Sequence, residues 1–152
     1  MKLAEALVQR ADLAKRLNQV KSRAVTSAIY QEGGTAAEDV ASLRADYDRM
    51  AAELGSLIER INRTNLSVRL PSGQTVTAAI AERDTLQLRR GFLVDVASAA
   101  NGSQMRMLRT ELRMVTDVPV AEYQREADDL ARQFRELDTA IQATNWSAEL
   151  LD

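Results

Sequence analysis

The chain has 152 residues, of which 20 are basic and 22 acidic, and it contains neither cysteine nor histidine. This length suits one domain with a single core. The lack of cysteine excludes disulfides and thiolate metal sites, and the lack of histidine removes the commonest general base and metal ligand. The near-neutral charge predicts no attraction to nucleic acid. The composition therefore argues against an enzyme and predicts no cofactor and no metal site.

The sequence also lacks the signals that direct a protein to a membrane. No run of about eighteen apolar residues occurs, which is the length that a spanning helix needs. The opening sequence, MKLAEALVQRADLAKR, has no apolar stretch of signal-peptide length. We therefore expect a cytoplasmic protein with no stable membrane insertion.

The first two helices are predicted from composition and spacing. Good helix formers fill residues 2–30, and Gly33-Gly34 suits the end of a helix. Thr35 precedes Glu38 by three residues, which predicts a capping box for the second helix. This helix, at residues 40–65, has apolar residues at the a and d positions of a heptad: Val40, Leu43, Tyr47, Met50, Leu54, Leu57 and Ile61.

The period of the pattern changes after residue 65. Residues 67–70 and 75–77 alternate in polarity around the turn 71–74, which predicts a small β-hairpin. A third helix is expected from about residue 78 to residue 100, with Asn101-Gly102-Ser103 ending it. Residues 105–118 are ambiguous between strand and helix, and alternation at about 110–116 favours a strand that would join the hairpin.

The fourth helix is expected to begin after Pro119 and to end near Asn145-Trp146. It repeats the heptad seam with Val120, Tyr123, Ala127, Leu130, Phe134, Leu137 and Ile141. A shift of 80 residues aligns it with the second helix, and a shift of 73 aligns the third helix with the first. The sequence therefore predicts a mainly α, single domain at 1–152. Repeat one (about 1–70) and repeat two (about 76–150) would each be a coiled-coil-like hairpin of two antiparallel helices. A β-hairpin or three-stranded sheet would lie between the two repeats.

Candidate ligand-binding residues are polar or aromatic side chains at the ends of the predicted hairpins. Arg10 occupies an a position of the first seam, so it needs a carboxylate, a carbonyl cluster or an anionic ligand. The asparagines also fit a plain structural role at the carboxyl ends of helices. The full set is Arg10, Asn62, Asn65, Glu82, Arg83, Asn145 and Trp146.

Three acids on the fourth helix raise a second possibility. Glu122, Glu126 and Asp129 are spaced as helical bundles space carboxylates for a divalent metal. A magnesium-dependent nucleotide enzyme could use carboxylates alone. All three lie off the apolar seam, however, where acids usually face water. A small-ligand or magnesium-nucleotide protein is therefore kept only as an alternative.

Our first functional hypothesis is a non-enzymatic helical protein that self-associates as a homo-oligomer. The third helix carries apolar residues on more than one side, and such a helix usually packs on more than one side. The predicted oligomer contact consists of Leu88, Phe92 and Val94. Gly91 lies beside them, where a close backbone approach would explain a glycine within a helix.

Several segments resemble a family of small bacterial helical proteins, called septicolysin-like or treated as a domain of unknown function. They are the opening MKLAEALVQRADLAKRL, then LIERINRTN, TVTAAIAERD and the closing LDTAIQATNW. INRTN and ATNW are the most specific parts, and the resemblance covers nearly the whole chain. The family name implies a membrane-active cytolysin, which is a further alternative function, and the resemblance supplies no catalytic residues.

Overall fold

The computed structural model describes the backbone of residues 1–105 and 115–152 and the side chains of 1–102 and 115–152. Four helices account for most of this part of the chain: α1 (Leu3–Ser27), α2 (Val40–Ser67), α3 (Val76–Met105) and α4 (Val120–Ser147). The predicted mainly α fold with four helices is confirmed. Helix α3 continues through residues 101–103, so the predicted break there is wrong. A single glycine costs a helix about 1 kcal/mol, which thirty helical residues can absorb.

The chain divides into two compact units, and the first comprises Met1–Val68 and Thr144–Asp152. Helices α1 and α2 run antiparallel within it, as two apolar clusters show. One cluster joins the start of α1 to the end of α2, and the other joins the end of α1 to the start of α2. The buried members of the first are Leu3, Ala6, Leu13, Leu57, Ile61 and Leu150, and those of the second are Leu17, Val20, Leu43 and Met50.

The connection between α1 and α2 differs from the prediction in its cap. Gly33 has the expected left-handed backbone, with φ of 83°. The cap of α2 is Asp39, whose carboxylate accepts hydrogen bonds from the backbone N–H groups of Ala41 (3.3 Å) and Ser42 (3.0 Å). The capping box predicted at Thr35 and Glu38 is therefore wrong. Glu38 instead forms an ion pair with Arg23, which lowers the pKa of the Glu38 carboxyl group.

The second unit comprises Arg69–Ala143. Its core is formed by the facing seams of α3 and α4, which also run antiparallel. Two ion pairs show the direction, because Arg83 pairs with Asp138 (3.1 Å) whereas Arg89, further along α3, pairs with Glu126 (3.6 Å). The core residues are Leu86, Leu93, Ala127 and Leu130, with Tyr123, Phe134 and Leu137 packed against them.

No sheet forms in the described residues, so the predicted β-hairpin is wrong. Helix α2 extends to Ser67 and α3 begins at Val76, which leaves too little chain for two strands. A single bridge between Arg69 and Thr75 remains, around a turn in which Gly73 has φ of 90°. The predicted strand at 110–116 lies outside the described residues, except for 115–116, which have no regular secondary structure.

A similar bridge, between Lys2 and Glu149, ties the start of α1 to the segment that follows α4. The backbone N–H of Leu3 donates to the carbonyl oxygen of Ala148 (2.9 Å), and that of Leu150 donates to the carbonyl oxygen of Met1 (2.9 Å). These hydrogen bonds bring the end of α4, and with it Trp146, to the first turns of α1.

Candidate functional site

A groove with a volume of about 610 Å³ runs along the outside of the first unit. Helix α1 contributes one polar stripe, α2 contributes a second wall, and Trp146 lies at the groove as part of the last turn of α4. Val8, Leu13 and Met50 supply its apolar lining. Its charged and amide residues are Glu5, Gln9, Asp12 and Arg16 from α1 and Arg49 and Glu53 from α2.

The charges in the groove are separated along its length. Because α1 and α2 are antiparallel, the Gln9 amide reaches the Glu53 carboxylate (3.5 Å), which aligns the two walls. Glu5 lies one turn towards the start of α1, and Arg16 lies about two turns in the other direction. Arg49 lies one turn before Glu53 on α2, which places it at the Arg16 end. One end therefore carries the Glu5 carboxylate and the other carries guanidinium groups, with the carboxylates of Glu53 and Asp12 between them.

Some of these charges are already paired within the chain. One Glu5 oxygen accepts from the backbone N–H of Lys2 (2.7 Å), and Arg49 pairs with Asp46 (3.0 Å). Asp12 and Arg16 have no hydrogen-bonding or ion-pair partner in the described part of the chain and are exposed. The groove thus offers one free carboxylate and one free guanidinium group, about one turn apart on α1.

The two predicted candidates at the end of α4 are in different surroundings. The side chain of Trp146, the single tryptophan of the chain, is 60% exposed. Asn145 is 5% exposed and does not line the groove, and its Oδ1 atom has no hydrogen-bonding partner among the residues that the structure describes. Only Trp146 is therefore available to a ligand.

Arg83, a predicted ligand-binding residue, is held by carboxylates of its own chain. Its Nε and Nη2 atoms donate to Asp84 Oδ1 (3.0 and 2.8 Å), and its Nη1 atom donates to Asp138 Oδ1 (3.1 Å). The hydrogen bonds that Arg83 donates to Asp84, followed by the one that it donates to Asp138, raise the pKa of the guanidinium group above its ordinary value. Glu82, its predicted neighbour, is exposed. The structural role of Arg83 is thus accounted for without a ligand.

The other predicted ligand-binding residues do not share a pocket with Trp146. Arg10 is exposed, so the expectation that its seam position would bury it is wrong. No hydrogen bond or ion pair holds it within the described residues. Asn62 is exposed and Asn65 is half-buried. The sequence analysis missed the groove residues Glu5, Gln9, Asp12 and Arg16, whose spacing of four, three and four residues marks one helical face.

The predicted oligomer contact is split between two faces of α3. Leu88 and Phe92 are 76% and 63% exposed and lie one turn apart on the same face. Val94 is 40% exposed and lies six residues beyond Leu88, about 120° around the helix. There it lines a shallow depression together with Ala97 and Gln124.

Two of the three acids considered for magnesium form ion pairs. Glu126 pairs with Arg89 (3.6 Å), and Asp129 pairs with Arg132 (3.0 Å). Among the described residues, no three acidic side chains lie close enough together to hold a metal ion. Nothing in this region favours the magnesium-nucleotide alternative.

Residues 10–150 match the model of a family of unknown function, DUF6847. The chain belongs to this family. It is also similar to the crystal structure of a functionally unknown conserved protein from Corynebacterium diphtheriae, with 32% sequence identity, a TM-score of 0.95 and 99% of each chain covered. No curated protein matches the sequence. The family therefore supplies a fold but no activity or site residues.

Membership of the DUF6847 family corrects the resemblance inferred from the sequence. Neither the family description nor that of the similar structure links the chain to septicolysin, so the septicolysin-like resemblance is wrong. The cytolysin alternative depended on that name and is withdrawn with it. In addition, no helix in the described ranges has the length and apolar character needed to cross a bilayer.

Proposed function

We propose that this protein is a non-enzymatic helical interaction protein that self-associates through the middle of α3. The observation that carries the proposal is the exposure of Leu88 (76%) and Phe92 (63%) on one face. Full burial of a large apolar side chain stabilises an interface by about 1.5–3 kcal/mol. These two side chains therefore form an apolar patch whose burial would favour association.

The length of α3 is sufficient for such a contact. Its 30 residues span about 45 Å at 1.5 Å per residue. A stable interface buries roughly 1,600 Å² in total, or about 800 Å² on each partner. Two copies of α3 that cross at Leu88 and Phe92 would use the same patch on both subunits, which closes the assembly as a twofold dimer.

Gly91 gives a second reason to place the contact here. A glycine within a helix costs about 1 kcal/mol relative to alanine. A Cβ atom added at Gly91 would meet nothing within 4 Å, so the fold of the single chain does not require a glycine. Close approach of a second α3 would require one. Val94 points away from this face and is not needed for the contact.

We also infer that the chain is a single domain made of two helical repeats. On the repeat alignment, Lys2 is equivalent to Thr75, and Glu149 is equivalent to Arg69. The bridge between Lys2 and Glu149 therefore has its counterpart in the bridge between Thr75 and Arg69. The hydrogen bond from Leu150 to Met1 has its counterpart in that from Leu70 to Gln74. Such matched end contacts are what a duplicated hairpin with coiled-coil-like seams would retain. A cytoplasmic location goes with this proposal, because the chain has no cysteine to exploit an oxidising compartment.

Native mass spectrometry of the untagged protein tests self-association. We expect a species of twice the chain mass for the wild type and the single-chain mass for Phe92→Glu, since a buried unpaired carboxylate is costly. Leu66→Glu is the matched control, because Leu66 is 64% exposed but lies on α2. It should leave the dimer intact.

Two results would contradict the proposal. A wild-type protein that stays monomeric at about 100 μM would exclude a useful affinity. A dimer that persists in Phe92→Glu would exclude this face of α3 as the contact. Circular dichroism of both variants establishes that the helices are retained, so a loss of assembly is not mistaken for unfolding.

A further inference from the structure

The charges in the groove of the first unit are not required by the helical hairpin itself. On the repeat alignment, the core position Leu13 corresponds to Leu86, and Met50 corresponds to Leu130, so apolar character is kept. Four groove positions differ in the second repeat, since Asp12, Arg49, Glu53 and Trp146 correspond to Thr85, Asp129, Gln133 and Leu66, whereas Arg16 corresponds to Arg89. The same seam is thus built without these groups, so the apolar packing of the hairpin does not depend on them or on the tryptophan.

The separation of charge along the groove indicates which charges a ligand would carry at its two ends. Glu5 places negative charge at the end where Trp146 exposes 60% of its surface, and Glu53 adds a carboxylate beside Gln9, further along the groove. Carboxylates beside an exposed indole face suit an organic cation, which gains from both Coulombic attraction and a cation–π contact. Arg16 and Arg49 at the other end suit a carboxylate, with which a guanidinium group forms paired hydrogen bonds.

The distance between the two ends indicates an extended ligand. Glu5 and Arg16 are eleven residues apart on α1, which is about 16 Å along the helix axis. A peptide in extended conformation covers this distance with about five residues. The groove volume of about 610 Å³ is within the usual range for ligand sites, and Gln9 supplies an amide between the two ends for a peptide backbone.

We propose that this groove binds a short extended peptide, with a basic side chain against Trp146, Glu5 and Glu53 and a free carboxyl terminus at Arg16. Asp12 contributes further negative charge between the two ends. The site consists of residues of the first unit alone, so it is independent of self-association through α3. Either property can be present without the other.

The single tryptophan makes the site directly observable. In the ¹⁵N-labelled 152-residue protein, the Trp146 indole N–H gives one resonance whose shift reports occupancy. The probe is N-acetyl-Lys-Ala-Ala-Ala-Ala with a free carboxylate. Two matched peptides each remove one charge: the carboxamide form, and the form with norleucine in place of lysine. We expect a saturable shift with the first peptide and at least a tenfold weaker affinity for each of the other two.

Variants assign the two ends of the ligand. Arg16→Gln should weaken binding of the free-carboxylate peptide about tenfold and leave binding of the carboxamide unchanged. Glu53→Gln should weaken the lysine peptide and leave the norleucine peptide unchanged. Arg10→Gln is the control, since Arg10 is an exposed arginine on α1 that has no partner in the described part of the chain and does not line the groove. The affinity of Arg10→Gln for the free-carboxylate lysine peptide should stay within twofold of that of the wild type.

The proposal is overturned if the lysine peptide gives no saturable shift up to about 10 mM, or if all three peptides bind equally. It is also overturned if Arg10→Gln weakens binding as much as Arg16→Gln, because the carboxylate would then respond only to net charge. Arg16 has no partner within the described residues, so its replacement is not expected to unfold the protein.

Discussion

At the scale of single residues, Arg83 and Arg10 show how one position can be structural in one of the proposed repeats and, among the described residues, unpaired in the other. The two residues correspond on the repeat alignment. Arg83 binds Asp138 across the second unit, and the corresponding position in the first repeat is Ile58. Arg10 consequently has no carboxylate to bind among the described residues and lies exposed. A sequence pattern alone gave both arginines the same expected role.

This difference predicts unequal effects of two alanine substitutions on stability. Arg83→Ala should lower the free energy of unfolding by about 1 kcal/mol, because it leaves the partly buried Asp138 without its partner. Arg10→Ala should change it by less than about 0.5 kcal/mol. Urea unfolding followed by circular dichroism measures both. Equal losses would show that the Arg83 ion pairs contribute nothing beyond what an exposed arginine does.

Glu149 predicts a dependence on pH at the start of α1. The hydrogen bond from Lys2 lowers the pKa of the Glu149 carboxyl group below its ordinary value of 4.5. The folded state therefore favours the ionised carboxylate. The contribution of Glu149 to stability is complete above pH 4.5 and is lost as the pH falls through the lower pKa of the folded state. Lys2 should then hold the segment after α4 less firmly.

Amide hydrogen exchange of Leu3 and Leu150 measures this effect, since both N–H groups donate across the same junction. We expect their protection to fall between about pH 5 and pH 3 after correction for intrinsic exchange rates. In Glu149→Gln the protection should be low already at neutral pH and should not change over this range. A pH-dependent loss that persists in this variant would assign the effect to another group.

At the scale of elements, α2 shows which features a sequence predicts well and which it does not. Its heptad seam predicted the helix, because apolar side chains at this spacing are typical of a helix that packs along one face. Its cap was mispredicted because Thr35 and Glu38 have the spacing of a capping box, whereas Glu38 is used by Arg23 in the fold. The competing partner lies fifteen residues away and becomes visible only when α1 and α2 pack together.

The corrected cap gives a test on α2. Asp39→Ala removes the acceptor for two backbone N–H groups and should destabilise the protein by about 1 kcal/mol. Thr35→Ala should have little effect, because Thr35 is exposed and lies outside the helix. Thermal unfolding of the two variants side by side distinguishes the caps. A larger loss for Thr35→Ala would favour the original capping box.

At the scale of the whole molecule, the groove shows why a site can escape prediction when its fold does not. The helices follow from local periodicity, which is present in each segment. The groove requires Gln9 and Glu53 to meet across two helices, and Trp146 to return beside residues 5–9 from the far end of the chain. Trp146 was predicted as a ligand-binding residue, whereas its neighbours were not. No spacing within one segment contains that information.

The two compact units raise the question of whether the chain unfolds as one. Helix α4 belongs to both, since residues 144–147 are part of the first unit and residues 120–143 are part of the second. A helix propagates cooperatively along its length, so unfolding of one unit should shorten a helix on which the other depends. We therefore expect a single transition, in keeping with the proposed single domain.

Leu57→Ala in the first unit and Leu130→Ala in the second test this expectation. Both side chains are almost fully buried, so each substitution should cost about 2–5 kcal/mol. Ile58→Ala, at a neighbouring position that is 38% exposed, should cost much less. If the domain is cooperative, Leu57→Ala lowers amide protection in α3 as well as in α1. A loss confined to the first unit, or two separate thermal transitions, would mean that the units are independent domains joined by a continuous helix.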